Sequence, residues 1–272
     1  MDAVRVAIAG AGGRMGRALI EAVLREPGLT LAAALDVAGS AALGHDAGEP
    51  CGQATGVRVE ADVDAALARA DVLIDFTRPA GTLIHLAACA RHGVAAVVGT
   101  TGLDTAQKSA LAQCAQRIPV VFAANMSVGV NVLLSLVEQA ARALGPAYDI
   151  EILEMHHRHK VDAPSGTALK LGEAAAAGAG TSLADHAVYS REGNTDERKP
   201  GAIGFASLRG GDVVGEHMVV FAGEGERVEI AHRATSRQLF AAGALRAVVF
   251  VAAKRHAGTT GVFDMPDVLG LR

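Results

Sequence analysis

The chain has 272 residues, enough for about two domains and for a core that needs neither disulfides nor metals. Half of the residues are hydrophobic, 56 of them alanine, whereas aromatics reach only 3% and tryptophan is missing; small aliphatic side chains of this kind suit helices packed closely on a sheet. A net charge of −4 and a pI near 6.2 argue against a general nucleic-acid binder, and no apolar run is long and unbroken enough to predict a membrane span.

The amino end, Met1-Asp2-Ala3-Val4-Arg5, lacks the basic start and cleavage site of a secretory leader. Cys51, Cys89 and Cys114 are odd in number and far apart, so no disulfide framework or Cys-x-x-Cys metal site is expected. These exclusions lead to the expectation of a soluble, reduced, cytoplasmic α/β protein.

The first half alternates. Buried strands are predicted at Val4–Ala9, Leu29–Leu35, Val72–Phe76, Val94–Val98 and Pro119–Ala123, with helices at Arg14–Arg25, Val63–Arg69, Gly81–Arg91 and Thr105–Arg117. Unbroken Val/Ile/Ala strands separated by helices imply a parallel sheet covered on both faces, a Rossmann-type doubly wound architecture. The second half changes character. A helix at Val130–Leu144 and a strand at Tyr148–Met155 precede the polar segment His156–Gly166, which feeds a helix from Thr167 to about Ala177. Thr181–Pro200 reads as an exposed loop. Ile203–Arg209, Val213–Ala222 and Arg227–His232, separated by Gly210-Gly211 and Gly223–Gly225, read as strands with hairpin turns in an antiparallel or mixed sheet. Gln238–Lys254 is predicted as a long apolar helix. The expected domains are therefore a dinucleotide-type domain of residues 1–127 with 237–272 and a mixed-sheet α+β domain of residues 128–236.

The first strand runs into Gly10-Ala11-Gly12-Gly13-Arg14-Met15-Gly16. The usual Gly-x-Gly-x-x-Gly pattern wants its third glycine at position 15, where Met15 stands, so the loop is a variant. Its physics survives: glycines allow the tight turn and let backbone approach a pyrophosphate at a helix N-terminus of positive partial charge. Asp36 closes the second strand, 20 residues beyond Gly16, where a carboxylate suits ribose hydroxyls, although a strand-end turn residue is the plainer reading. Ligands in such sheets sit at the carboxyl ends of strands. Phe76–Pro79, Gly99-Thr100-Thr101-Gly102 and Ala123-Ala124-Asn125-Met126 are then candidates to line the crevice, each also explicable as helix capping.

His156-His157-Arg158-His159-Lys160 follows a strand directly. If that strand continued, His157 and His159 would share a side, yet no third metal ligand lies at a recognisable spacing, and no metal is expected. A solvated basic patch is one reading. The other is an anionic substrate site with acid–base groups, histidine titrating near neutrality and lysine supplying charge or a proton. The continuation Asp162-Ala163-Pro164-Ser165-Gly166-Thr167 favours the second, because a turn and a helix N-terminus supply a second anion-holding device. Two such devices suit a small dicarboxylate.

These segments together, above all Glu154-Met155-His156-His157-Arg158-His159-Lys160-Val161-Asp162-Ala163-Pro164-Ser165-Gly166-Thr167-Ala168, resemble the bacterial 4-hydroxy-tetrahydrodipicolinate reductase (dihydrodipicolinate reductase) family over essentially the full length, including Tyr189–Gly193 and Gly215-Glu216-His217. The resemblance implies a cytoplasmic NADH- or NADPH-dependent reductase of the diaminopimelate route to lysine, a homotetramer with a small dicarboxylate substrate. It implies that Gly10, Ala11, Gly12, Gly13, Arg14 and Met15 cradle cofactor phosphates, that Asp36 holds the adenosine ribose, and that Gly99, Thr100, Thr101 and Ala123, Ala124, Asn125, Met126 face the nicotinamide half. His156 is implied as proton donor and Lys160 as second acid and carboxylate partner, with His157, Gly166 and Thr167 as further substrate contacts. Another two-domain dehydrogenase of small amino acids, of aspartate or homoserine type, is the alternative from the fold; a dinucleotide sensor without turnover is the non-enzyme alternative.

Overall fold

The computed structural model describes residues 3–236 and 238–272; Met1, Asp2 and Arg237, at which the second domain is expected to hand back to the first, lie outside the described residues. The chain divides into one unit of Met1–Ser127, Gln238–Gly270 and Arg272, and a second of Val128–Arg237 and Leu271.

The first unit opens with β1 (Val4–Ala9), α1 (Arg14–Arg25), β2 (Leu29–Leu35), β3 (Val59–Glu60) and α2 (Val63–Leu67). It continues with β4 (Val72–Asp75), α3 (Pro79–His92), β5 (Ala95–Val98), α4 (Thr105–Cys114) and β6 (Pro119–Phe122). The second unit holds α5 (Val128–Leu144), β7 (Asp149–His156), α6 (Gly166–Gly178), α7 (Leu183–His186), β8 (Ala187–Val188), β9 (Ile203–Arg209), β10 (Gly215–Ala222) and β11 (Arg227–Ala234). The chain then returns to the first unit with α8 (Gln238–His256), β12 (Gly261–Phe263) and α9 (Met265–Leu269).

The first sheet is parallel throughout, in the order β12-β6-β5-β4-β1-β2-β3. Every residue of β4 and β5 is buried, as a parallel sheet covered on both faces demands. The strand order reverses direction between β1 and β4, which makes their carboxyl ends the place for a ligand. Helix ends follow local chemistry. Asp62 and Asp104 cap α2 and α4 with their side chains, and Gly93 ends α3 in the left-handed region.

The second sheet, β11-β10-β7-β9-β8, is mixed: β10 is antiparallel to β7 and β11, while β7, β9 and β8 run parallel. The predicted hairpin across Gly210-Gly211 is therefore corrected. β7 lies between β9 and β10, so those glycines carry a connection past a strand; only Gly223–Gly225 joins paired neighbours. The loop predicted over 181–200 contains α7 and β8, short elements that leave no periodic signature. Rows of side chains cross the buried face of this sheet. Ile203, Ile150 and Phe221 form one row, and Phe205, Ile152 and Val219 the next, joining a core with Leu133, Val137, Leu171 and Ala175 from α5 and α6.

Those two helices meet at Gly178, where a Cβ would stand 2.2 Å from the Glu138 carbonyl oxygen and 2.8 Å from the Ala141 methyl. A backbone atom cannot swing aside as a flexible side chain can. Gly178→Ala is expected to destabilise the protein by about 1–3 kcal/mol, visible as a thermal midpoint several degrees lower; an unchanged midpoint would show that the helices separate freely.

Candidate active site

Directly beyond its two apolar rows, the buried face of the second sheet turns polar. β7 alternates strictly, burying Ile150, Ile152, Glu154 and His156. Its neighbours place Ser207 and His217 level with Glu154, and Arg209 level with His156. Glu154 is 2% exposed, so its carboxylate survives only with partners. Arg209 supplies two parallel bonds, Nη1 to Oε2 and Nη2 to Oε1, both 2.9 Å. The Ser165 amide donates to Oε1 at 3.2 Å, and the His156 ring places Nδ1 2.5 Å from Oε2. Burial opposes the charge, but Arg209, Ser207 and His156 outweigh it and hold the carboxyl down at about 2.

This carboxylate orients His156. A carboxylate accepts only, so Nδ1 carries the proton and Nε2 becomes the exchangeable position. A Cβ at Gly215 would lie 3.0 Å from that Nε2, and glycine leaves the space open. Burial lowers the pKa of His156, with Glu154 opposing the shift. β7 ends at His156, so the alternation that would align His157 with His159 does not continue; the two rings sit 6.3 Å apart in the loop that follows. Lys160, in the same loop, pairs with the exposed Asp162 at 2.8 and 2.9 Å. Arg209 Nη2 also donates to the Asp162 carbonyl, tying the loop to β9.

Ser165 caps α6 by accepting the Ala168 amide at 3.1 Å, and its hydroxyl lies 3.0 Å from His217 Nε2. Gly166 opens the helix exposed and with nothing near its absent Cβ, leaving backbone for an anion. His157 Nδ1 and His217 Nδ1 are buried without a hydrogen-bond partner. The structure thus brings His156, Ser165 and Gly166 together with Glu154, Arg209 and His217, three residues absent from the sequence-derived site. The period-two spacing of Glu154 and His156 was a readable signal. Arg209 reaches the site from another strand and leaves none, and His217 is marked only as part of the Gly215-Glu216-His217 segment of the resemblance.

In the first unit, Gly10 has φ +74°, and a Cβ at Gly16 would stand 2.1 Å from the Gly10 carbonyl oxygen. The late third glycine is therefore the one that lets α1 cross β1 closely. Asp36 anchors both carboxylate oxygens, taking the Gly12 amide at 2.9 Å and the Val37 amide at 2.8 Å, and a Cβ at Gly12 would collide with it at 2.6 Å. No side chain caps α1, and Arg14 is exposed beside its first turn. Open amides at a glycine-lined helix N-terminus next to a strand-end carboxylate fit a dinucleotide with ribose hydroxyls. Gly13, Thr101 and Ala124 are exposed, and Ala11, Met15, Ala123 and Asn125 surround them with less exposure. Gly99 lies against the Phe76 ring, Thr100 is buried with its hydroxyl 2.8 Å from that of Thr82, and Asn125 accepts the Ser127 amide at 2.9 Å. Met126 has its side chain in the core, and its carbonyl packs where Gly243 lacks a Cβ. Among the described residues, no three His, Cys, Asp or Glu side chains stand together as a metal site.

Two family profiles match the chain: "Dihydrodipicolinate reductase, N-terminus" over residues 4–126 and "Dihydrodipicolinate reductase, C-terminus" over 129–269. The 4-hydroxy-tetrahydrodipicolinate reductase of Laribacter hongkongensis is 61% identical, covering 100% of both chains, and that of Cupriavidus necator is 60% identical, covering 99% of this chain and 100% of its own. Among solved structures, a dipicolinate-bound dihydrodipicolinate reductase from Paenisporosarcina superposes with a TM-score of 0.75 at 25% identity, covering 96% of this chain and 97% of the other. A myo-inositol 2-dehydrogenase from Lactobacillus plantarum, at 14% identity and a TM-score of 0.57 over 99% of this chain and 94% of its own, shares the fold alone.

The buried His217 has a measurable signature. Burial, reinforced by His156, pushes its pKa down from 6.5 to about 4. Between those values the unfolded chain takes up a proton that the folded chain refuses. The stability His217 contributes is complete above pH 6.5 and is lost as pH falls toward about 4, on the order of 3 kcal/mol in all. Urea unfolding at stepped pH should show a shallower decline for His217→Gln than for the unaltered protein; parallel curves would contradict this.

Proposed function

Because the chain belongs to the dihydrodipicolinate reductase family, we propose that it reduces 4-hydroxy-tetrahydrodipicolinate to tetrahydrodipicolinate with NADH or NADPH, in the diaminopimelate route to lysine. One observation carries the chemistry. At the carboxyl end of β7, a histidine fixed at Nδ1 by a buried carboxylate stands beside the opened N-terminus of α6. A small dicarboxylate is the substrate this arrangement suits, and the dipicolinate bound to the Paenisporosarcina enzyme supports that class.

Gly10–Met15 and Asp36 would hold the phosphates and adenosine ribose of a reduced nicotinamide dinucleotide, which would supply hydride, and Gly99–Thr101 and Ala123–Met126 belong to the strand ends that would face its reactive half. Loss of the 4-hydroxyl as water leaves a conjugated imine; hydride addition to it would push an electron pair onto the substrate, which then takes up a proton. His156 delivers it from Nε2, and the Glu154 carboxylate keeps the ring aligned throughout. Lys160 exchanges its exposed partner Asp162 for a substrate carboxylate and acts as the second acid. The Gly166 and Thr167 backbone clamps the other carboxylate, and His157 lines the substrate.

The outer face of the second sheet carries Leu153, Met155, Leu208 and Met218 around a cavity of about 180 Å³, which supports homotetramer assembly through this sheet. Among the described residues, no helix is long and apolar enough to cross a membrane, and the pathway reading carries a cytoplasmic location.

Freshly condensed pyruvate and aspartate semialdehyde, added with NADH, should cause loss of reduced-nicotinamide absorbance. His156→Ala and Lys160→Ala should each lower kcat by at least about 10²-fold, the scale of a lost general acid, while the protein still binds cofactor. Near-normal turnover in both variants would remove this mechanism.

Cofactor choice follows from the strand end at Asp36. Both its oxygens are fixed by backbone, and the next side chain, Val37, is 74% exposed and uncharged. The carboxylate suits two free ribose hydroxyls and repels a 2′-phosphate. A missing charge-assisted contact of roughly 1.5–3 kcal/mol costs about 10- to 150-fold in affinity, which Arg14 can recover only in part. NADH should therefore be preferred or equal, and Val37→Arg should move kcat/KM toward NADPH. A tenfold preference for NADPH in the unaltered protein would refute the argument.

A further inference from the structure

Asp75 closes β4 and is 1% exposed. Burial works against its charge, yet His85 and Thr77 outweigh that cost and hold the carboxyl below its ordinary range. Its Oδ1 accepts both the amide of Thr77, at 2.8 Å, and the hydroxyl of Thr77, at 2.6 Å. Its Oδ2 lies 2.8 Å from Nδ1 of His85, a ring from α3 that is itself 14% exposed. Thr82, also on α3 and fully buried, sets its hydroxyl 2.8 Å from that of Thr100, the second residue after β5. The Thr100 hydroxyl in turn lies 3.4 Å from Oδ1 of Asp75. Between the two strand ends, the Phe76 ring fills the space a Cβ at Gly99 would need, with ring carbons 2.2–2.6 Å from that position.

A buried ion pair is rarely the cheapest way to fill a strand end, since apolar side chains of similar volume serve stability as well or better. What it provides here is direction. One carboxylate fixes the backbone after β4 through Thr77 and, with His85, Thr82 and Thr100, fixes its height against the backbone after β5. The turn after β4 borders the reversal between β1 and β4 and the turn after β5 lies one strand further out, on the half of the sheet that suits the reactive half of a dinucleotide spanning the crevice. Asp36 and the glycine loop belong instead to the turns after β1 and β2.

We propose that Asp75 and His85 are positioning residues for the nicotinamide half of the cofactor, setting the turns after β4 and β5 through Thr77 and Thr100 while leaving the adenosine half to the glycine loop and Asp36. The inference rests on the reading of the chain as a nicotinamide-dependent reductase. It separates two parts of one ligand, so two probes test it: NADH, and ADP-ribose, which has the adenosine half and pyrophosphate but no nicotinamide.

Calorimetric titration of the full-length protein should give roughly tenfold weaker NADH binding in Asp75→Asn, the scale of one charge-assisted hydrogen bond, with ADP-ribose affinity within about twofold of normal. His85→Ala and Thr77→Val should show the same split. His85→Gln, whose amide can still donate to Asp75, should recover part of the NADH affinity. If Asp75→Asn does not fold, the His85 and Thr77 variants decide the question. Equal losses for both ligands, or folded variants with normal NADH binding, would overturn the positioning role alone. Unaltered protein that bound neither nucleotide would overturn the reductase reading with it.

Discussion

A carboxylate taken out of water must be surrounded by donors or give up its charge, and the second unit is arranged around that demand at Glu154. The donors come from four places in the chain: Arg209 on β9, the Ser165 amide at the start of α6, His156 on the same strand, and the Ser207 hydroxyl. Satisfying one buried group thereby brings His156, the helix N-terminus and the intervening loop into one fixed arrangement. The loop is held twice, because Arg209 also takes the Asp162 carbonyl. Charge burial that costs stability in isolation here specifies a geometry.

The first unit meets a related problem by a different route. Its ligand surface is made from backbone, so the sequence spends glycine where bulk would intrude: Gly10 for the turn, Gly12 beside Asp36, and Gly16 against the Gly10 carbonyl. Polar side chains at the later strand ends are consumed internally, as Thr77, Thr82 and Thr100 are around Asp75. Side-chain chemistry is concentrated in the second unit and backbone chemistry in the first. A dinucleotide fold serves many reactions on this division, since the chemistry lives in the site and not the fold.

Much of this was legible along the chain. Strands buried on both faces are unbroken apolar runs and α1 keeps its apolar residues on one face, so β1, α1 and β2 fall where Val4–Ala9, Arg14–Arg25 and Leu29–Leu35 were predicted; β9, buried only over its first three residues, matches Ile203–Arg209 through the turn residues around it. The short edge strands β3, β8 and β12 were not legible, because two or three residues carry no period and exist only through a partner. The pairing of β7 between β9 and β10 was hidden for a related reason. Gly210-Gly211 looks like a hairpin turn from its local sequence, and only the long-range competition between strands decides otherwise. At the site, the His156–Lys160 string and the Ser165-Gly166-Thr167 turn announced themselves by composition. Arg209 is an ordinary arginine until the sheet sets it level with His156, and His217, though within a segment of the resemblance, has no place in the site until the sheet sets it level with Glu154.

The edge strand β12 has a consequence for how the protein is made. It pairs with β6 in the first sheet, but α8 and β12 follow the whole second unit in the chain. As the polypeptide leaves the ribosome, all five strands of the second sheet emerge before the residues that complete the first. The first unit therefore waits, its apolar strands lacking α8 against β4, β5 and β6, until the whole second unit has been passed. Closing so long an excursion is slow compared with forming neighbouring contacts. The order of assembly thus runs against the order of the sequence.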